Sequence, residues 1–284
     1  MRFFVVTNLE KQNAEQCTVS VLNKLVSLGG QVTIPEHLAD NFSMIPGILS
    51  APQQKACAEC DIVISIGGDG TLIHVAKTAA LFGKPVLGIN TGRLGFLTRM
   101  EQNEISQLSR LFTGNYVIEK RMMLEFQNTS AASGSKKYTA LNDVVLSRGA
   151  LSRIVDLSIF CDGAPVSQYR ADGLVFSTPS GSTAYSLSAG GPIVEPDMEC
   201  IVMSPICPHS LYARSMVFSP NHEISVKTSF ERSNDAYITI DGAEGFPIAP
   251  GDLISVRMSK EYAKLISLDI SFFEILSKKF IDHK

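Results

Sequence analysis

The period of the apolar positions changes partway along the chain. Up to about residue 114, short apolar runs alternate with stretches of helical spacing. Phe3-Phe4-Val5-Val6-Thr7 is a compact run and reads as a strand. Over residues 12 to 28, Ala14, Cys17, Val21, Leu22, Leu25 and Leu28 recur at helical spacing, and Gly29-Gly30 closes the helix. Gln31 to Ile34 gives a second strand, stopped by Pro35. Residues 35 to 56 are weakly patterned and read as a loop with a short helix. Ile62-Val63-Ile64-Ser65-Ile66 then runs into two glycines, and Leu72 to Lys77 reads as a helix. Lys84 to Asn90 is another buried strand, and Ile105, Leu108, Leu111 and Phe112 mark a helix over 102–113. Such alternation predicts parallel βαβ units, with ligands beyond the carboxyl ends of the strands.

Past Gly114 the helical spacing disappears. Strand-like runs follow at 116–119, 122–126, 138–146, 154–160 and 174–177, then at 216–218, 223–228, 236–240, 253–258 and 263–267. Residues 128–137 suit a hairpin tip, and Asp162-Gly163 and Asp241-Gly242 are turn signals. Ser271 to Phe280 is an amphipathic helix with Lys278 and Lys279 near its end, where cations suit the helix dipole. The expected fold is an α/β N-terminal domain (1–114, a Rossmann-like parallel sheet) and an all-β C-terminal domain (115–268, a β-sandwich). A C-terminal helix (269–284) packs back on the first domain.

Composition narrows the classes. The 284 residues are 45% hydrophobic and 19% charged, enough apolar material for a core. The net charge is −3 and no basic block stands out, which argues against a dedicated nucleic-acid binder. No run of about 18 apolar residues is present, so no membrane span is expected. Six scattered cysteines make no disulfide framework, and a reducing cytoplasm is the default. Cys57-x-x-Cys60 has metal spacing but no second ligand pair nearby, and reads as plain thiols.

The chemistry concentrates in three places. Gly67-Gly68-Asp69-Gly70-Thr71 lies between a strand and a helix, where free N–H groups and the helix dipole suit phosphate. A carboxylate is costly there unless it accepts a proton or holds a metal ion, and the bland alternative is a tight turn. Asn90-Thr91-Gly92-Arg93-Leu94-Gly95-Phe96-Leu97 follows the next strand, beside the same edge. In the β half, Arg170-Ala171-Asp172-Gly173 and the Ser177-to-Pro192 loop combine hydroxyls, glycines and a helix start, suited to phosphate or ribose. Tyr185 could stack on a base, and Asp172 could bind ribose hydroxyls or an amine. Asn142-Asp143 interrupts an apolar strand, marking a bulge, an edge or a site. There is no P-loop, no Gly-x-Gly-x-x-Gly after the first strand and no Gly-x-Ser-x-Gly elbow.

Taken in order, these motifs resemble the NAD kinase family, and Pro208-His209-Ser210-Leu211, Arg214 and Phe272-Phe273-Glu274-Ile275-Leu276 extend the resemblance over nearly the whole chain. The glycine turn alone is shared with lipid kinases and, loosely, phosphofructokinases; the Asp172-to-Ser186 block is more specific. The resemblance implies transfer of the γ-phosphoryl of ATP, or of polyphosphate, to the adenosine ribose 2′-hydroxyl of NAD, giving NADP. It implies a divalent metal, usually Mg²⁺, and a homodimer or homotetramer; the charge balance and the lack of a long apolar run speak for no nucleic-acid or membrane partner. The resemblance makes Asp69 the general base and puts Gly70 and His74 against NAD or its phosphates. Asn142 and Asp143 would hold the ribose and adenine region, and Arg153, Arg170 and Asp172 the nicotinamide and diphosphate side. Thr183, Ala184, Tyr185, Ser186, Leu187 and Ser188 would form the adenine and ribose wall. His74 stands where the family often has Arg, Asp143 where it often has Glu, and Ala243 where many bacterial members have Gln. A catalytically silent NAD-binding sensor and a lipid or small-alcohol kinase are the competing readings.

Overall fold

Strand β4 (Ile62–Gly67) is buried at all six positions, as expected of a parallel strand covered on both faces. It sits at the centre of the first of two compact units, Met1–Arg121 with Glu261–Lys284; Met122–Lys260 form the second. The computed structural model describes residues 1–92, 95–129, 137–149, 154–229, 236–243, 245–268 and 271–281.

In the first unit β1 (Arg2–Thr7), α1 (Ala14–Ser27), β2 (Gln31–Pro35), β3 (Ile48–Ala51), α2 (Gln53–Glu59), β4, α3 (Asp69–Leu81) and β5 (Pro85–Asn90) follow one another. The strands pair in parallel in the order β3-β2-β1-β4-β5. The order reverses between β1 and β4, the kind of switch point where open α/β sheets bind ligands. Phe3, Val5, Ile62, Ile64, Ile66, Leu87 and Ile89 of the strands pack with Cys17, Val21, Leu22 and Leu25 of α1. A two-residue strand β6 (Met100–Glu101) joins β5. Residues 102–113, expected as one helix, open as a 3₁₀ segment over Gln102–Leu108 before α4 (Ser109–Thr113).

The second unit is antiparallel. Its strands are β7 (Val117–Asn128), β8 (Lys137–Ala140), β9 (Asp143–Arg148), β10 (Val155–Cys161), β11 (Ala164–Ala171) and β12 (Gly173–Ser177). After the short helix α5 (Tyr185–Ser188) come β13 (Ile201–Ile206), β14 (Met216–Phe218), β15 (Ile224–Ser229), β16 (Ala236–Ile240), β17 (Phe246–Ile248) and β18 (Leu253–Ser267). One sheet runs β14-β13-β12-β9-β16-β17. In the other, β10 pairs β11 and β15, and β15 pairs the start of β18. The end of β18 belongs to the first unit and pairs with β5 at Lys264 and Leu265. The last helix, α6 (Phe272–Ile281), packs on the first unit as the sequence suggests: Phe272 meets Phe96 at 6.4 Å between ring centroids, and Lys279 Nζ lies 4.5 Å from the Phe96 ring centre.

Several elements escape the apolar pattern. β3 is an edge strand with no buried position, and β11 is mostly exposed. β13 is buried at five of its six positions but carries Ser204 and Pro205, and a proline ordinarily argues against an inner strand. β7 and β18 are each single strands that charged residues divide in the sequence. The run over 138–146 is instead two strands, broken at Leu141-Asn142. Of the expected hairpin tip at 128–137, residues 130–136 lie outside the described residues.

Candidate active site

In the first unit the glycine turn aims a carboxylate. Gly67 ends β4 at φ 153°, a backbone setting open to glycine, and a Cβ there would lie 2.6 Å from Thr71 Oγ1. The chain turns through Gly68 and α3 begins at Asp69, where a negative charge suits the helix dipole. Asp69 Oδ1 accepts the N–H groups of Leu97 (3.2 Å) and Thr98 (3.1 Å) and the Thr98 hydroxyl (3.2 Å). Its Oδ2 accepts the Phe96 N–H at 2.7 Å. The loop after β5 thus wraps the carboxylate so tightly that a Cβ at Gly95 would stand 1.9 Å from Oδ1. An ionised carboxylate offers about four lone-pair positions. Oδ1 is saturated, whereas Oδ2 keeps one free among the described residues.

His74, one turn further along α3, is exposed. Gly70, Thr71 and His74 line a cavity of about 660 Å³ with Thr7, Asn8, Lys11 and His37. It opens beside the carboxyl end of β1, at the switch point of the sheet.

In the second unit Asn142 lies in the break between β8 and β9, Asp143 opens β9, and the two are clamped from two sides. Asp241 Oδ2 accepts the Leu141 N–H (3.1 Å), and Oδ1 those of Asn142 (2.7 Å) and Asp143 (3.2 Å). The Asp241 N–H donates back to the Asp143 carbonyl at 2.9 Å. Asp241 holds φ 52°, a left-handed setting that Asp tolerates better than most residues. On the other side Thr178 donates its hydroxyl to the Leu141 carbonyl (2.6 Å) and its N–H to the Asn142 carbonyl (2.9 Å). Gly181 comes so close that a Cβ would sit 2.1 Å from that same carbonyl oxygen. Asn142 Oδ1 is buried without a hydrogen-bond partner among the described residues. Burial, and then the charge of Asp241, push the Asp143 carboxyl up to about 7.

The remaining expected residues are spread over this unit. Asp172 meets Arg148 Nε at 2.6 Å, and exposed Arg170 on β11 pairs with Asp156 at 3.1 Å. Arg153 lies outside the described residues. Thr183 ends a 3₁₀ turn, Ser180–Thr183, and Ala184 leads into α5. Tyr185 and Ser188 are exposed, with Leu187 half-buried between them. Ser186 is fully buried, its hydroxyl 3.3 Å from that of Ser204, so its side chain is turned into the protein.

Four residues that shape these places went unremarked in the sequence: Thr98, Thr178, Asp241 as a ligand of backbone N–H groups, and Arg148. Asp241-Gly242 signals a turn, but nothing local reveals that its carboxylate grips a segment a hundred residues earlier.

Comparison with known proteins gives a consistent result. Residues 3–116 match the family model of the ATP-NAD kinase N-terminal domain, and residues 141–268 that of the ATP-NAD kinase C-terminal domain. The chain is 40% identical over 277 residues to the NAD kinase of Caldanaerobacter subterraneus subsp. tengcongensis, covering 97% of each chain. It is 38% identical over 280 residues to that of Symbiobacterium thermophilum, covering 98% of each. Among solved structures it resembles yeast NADH kinase complexed with NADH (TM-score 0.89, 27% identity, 99% of this chain and 87% of that one). It also resembles an NAD kinase from Archaeoglobus fulgidus in complex with ATP (TM-score 0.77, 25% identity, 98% of each). Fold and relatives define a phosphotransferase with an alcohol group as acceptor. The chain belongs to the NAD kinase family, and its activity is the phosphorylation of NAD. Neither the lipid-kinase nor the silent-sensor reading draws support from these findings.

Proposed function

We infer that the terminal phosphoryl of ATP passes to the 2′-hydroxyl of the adenosine ribose of NAD, with Asp69 as the general base. The observation that carries this reading is the Asp69 carboxylate: four donors from Phe96, Leu97 and Thr98 fix it, and among the described residues Oδ2 keeps one acceptor position. A ribose hydroxyl is a weak acid, and a fixed carboxylate within hydrogen-bond reach takes its proton as the phosphorus–oxygen bond forms. Phosphoryl transfer otherwise asks for positioning and charge neutralisation rather than covalent help.

The donor phosphates lie in the cavity at the switch point, where Lys11, His37 and His74 can offer N–H donors beside the start of α3. The Archaeoglobus relative binds ATP, which favours ATP over polyphosphate as donor. Gly70 and His74 touch NAD or its phosphates. Asn142 and Asp143 take its ribose and adenine, and Arg153, Arg170 and Asp172 its nicotinamide and diphosphate side. Thr183, Ala184, Tyr185, Ser186, Leu187 and Ser188 wall the adenosine.

A divalent ion, Mg²⁺ in the first instance, would neutralise phosphate charge. The only set of three close His, Cys, Asp or Glu ligands among the described residues is Cys161, Asp162 and His222, and it does not include Asp69. Mg²⁺ is commonly held by substrate phosphates, waters and one or two carboxylates. The donor phosphates would therefore carry the ion. We further infer a homo-oligomer in the cytoplasm; all six cysteines are free thiols, as suits a reducing compartment.

The test is NADP formation from ATP, Mg²⁺ and NAD, detected with an NADP-specific dehydrogenase. Asp69→Asn should lower turnover by about 10²–10⁴, while the melting temperature falls only by what one loop N–H left without its acceptor costs. Wild-type turnover in that variant would remove Asp69 from the base role. NADH and polyphosphate in parallel reactions settle acceptor and donor.

A further inference from the structure

The hairpin between β10 and β11 gathers three chemically different metal-binding atoms away from the residues discussed above. Asp162, at φ 48°, and Gly163 form its turn. The Asp162 N–H donates to the Glu223 carbonyl at 3.0 Å, and the Glu223 N–H returns to Asp162 Oδ1 at 3.0 Å. These bonds fix the turn against the chain entering β15. Cys161 stands opposite Ile224 in the β10–β15 register, and His222 precedes that strand by two residues. His222 Nδ1 lies 2.6 Å from Asp162 Oδ2. The Cys161 sulfur, an Asp162 oxygen and a His222 ring nitrogen all fall within 4.8 Å of one another.

An exposed His–Asp pair contributes little to stability by itself, and it leaves the thiol without a role. Sulfur, imidazole nitrogen and carboxylate oxygen are together the ligand set of Zn²⁺ and its borderline neighbours. Ligand atoms around a tetrahedral zinc stand roughly 3.2–3.8 Å apart, given bonds of about 2.0–2.3 Å. The cluster meets that spacing with sub-ångström to ångström adjustments of side chains whose backbones are already hydrogen-bonded in place. His222 and Asp162 have 43% and 53% of their side-chain surface exposed, so an ion can enter and water can fill the fourth position. Mg²⁺, a hard ion, has no use for a thiolate.

We propose that Cys161, Asp162 and His222 form a site for a Zn²⁺-class transition ion at the β10–β11 turn, separate from any ion that serves the transfer reaction. The ion ties the hairpin tip to the start of β15, and the thiol proton is released to solvent on binding.

Co²⁺ reports the ligands directly. Titrated into the reduced, metal-free full-length protein, one equivalent should produce a thiolate-to-cobalt charge-transfer band that Zn²⁺ abolishes. Cys161→Ser should remove the band. His222→Ala should weaken binding by more than about tenfold, as loss of a direct ligand should exceed the least effect of an outer-shell change. The double variant Cys57→Ser, Cys60→Ser should keep the band. A titration with no band overturns the proposal, as does a band that survives Cys161→Ser. A band lost only with Cys57 and Cys60 places the ion at that pair instead and equally overturns it. Both cysteine variants change a single small atom per site, and melting curves confirm that each remains folded.

Discussion

At the scale of single residues, two carboxylates do opposite work. Asp241 accepts three backbone N–H groups and so shapes the segment that bears Asn142 and Asp143. Asp241→Ala leaves those donors without their acceptor, a cost of about 1–3 kcal/mol where they are buried. It should raise KM for NAD more than it lowers kcat, while Asp241→Asn, which tolerates the same left-handed backbone, should recover part of the loss; steady-state kinetics with ATP saturating reads both. Asp143 is the reverse case, a carboxyl that burial and Asp241 push up to about 7 from an unfolded value of 3.8. Between those values the native state holds a proton that the unfolded chain has released. Its penalty is therefore absent below about pH 4, grows as pH rises toward 7 and is complete above it. Asp143→Asn should then raise the melting temperature little at pH 4 and most at pH 8, an increment that differential scanning fluorimetry across pH would show. A gain independent of pH would mean that the carboxyl is not protonated in the native state.

At the scale of elements, α6 has a definite task. It covers Phe96, whose N–H is the 2.7 Å donor to Asp69. Phe272 is half-buried, and Phe272→Ala should cost about 1–2 kcal/mol, less than a full core Phe deletion. Because the loop it covers fixes the Asp69 carboxylate, kcat should fall more than stability alone explains if Asp69 is the base inferred above. Assays well below the melting temperature would separate the two, and an unchanged kcat would confine α6 to packing. The loop itself admits no side chain at 95: Gly95→Ala should cut turnover strongly, since the methyl would occupy the place of the Asp69 carboxylate.

At the scale of the whole molecule, the first unit is discontinuous. Met1–Arg121 need Glu261–Lys284, which bring the end of β18 to β5 and add α6. A chain ended at Lys260 should lose the cooperative melting of the first unit, whereas one ended at Leu268 keeps the β5–β18 pairing and should retain a weakened transition. Equal melting of the two truncated chains would show that the β18 pairing is dispensable.

The buried runs at Phe3–Thr7, Ile62–Ile66 and Lys84–Asn90, with helical spacing between them, determined the parallel α/β half by themselves, because a strand covered on both faces must be apolar throughout. The glycine turn and the Asp172-to-Ser186 block likewise carried the resemblance to the family whose two domain models match the chain, since glycine, hydroxyl and carboxylate stand there in one fixed order along the chain. The edge strand β3 and the exposed β11 were invisible for the converse reason: with little to bury, they carry no apolar period. Pro205 hid β13, and charged residues cut β7 and β18 in two on paper but not in space. Only the tertiary structure decided that Asp69 is wrapped by the loop after β5, that Asp241 holds Asn142 and Asp143, and that Cys161, Asp162 and His222 meet. Each of these depends on hydrogen bonds or approaches between residues 27 to 100 positions apart, and hydrophobic spacing along a chain records burial, not which distant polar groups find one another.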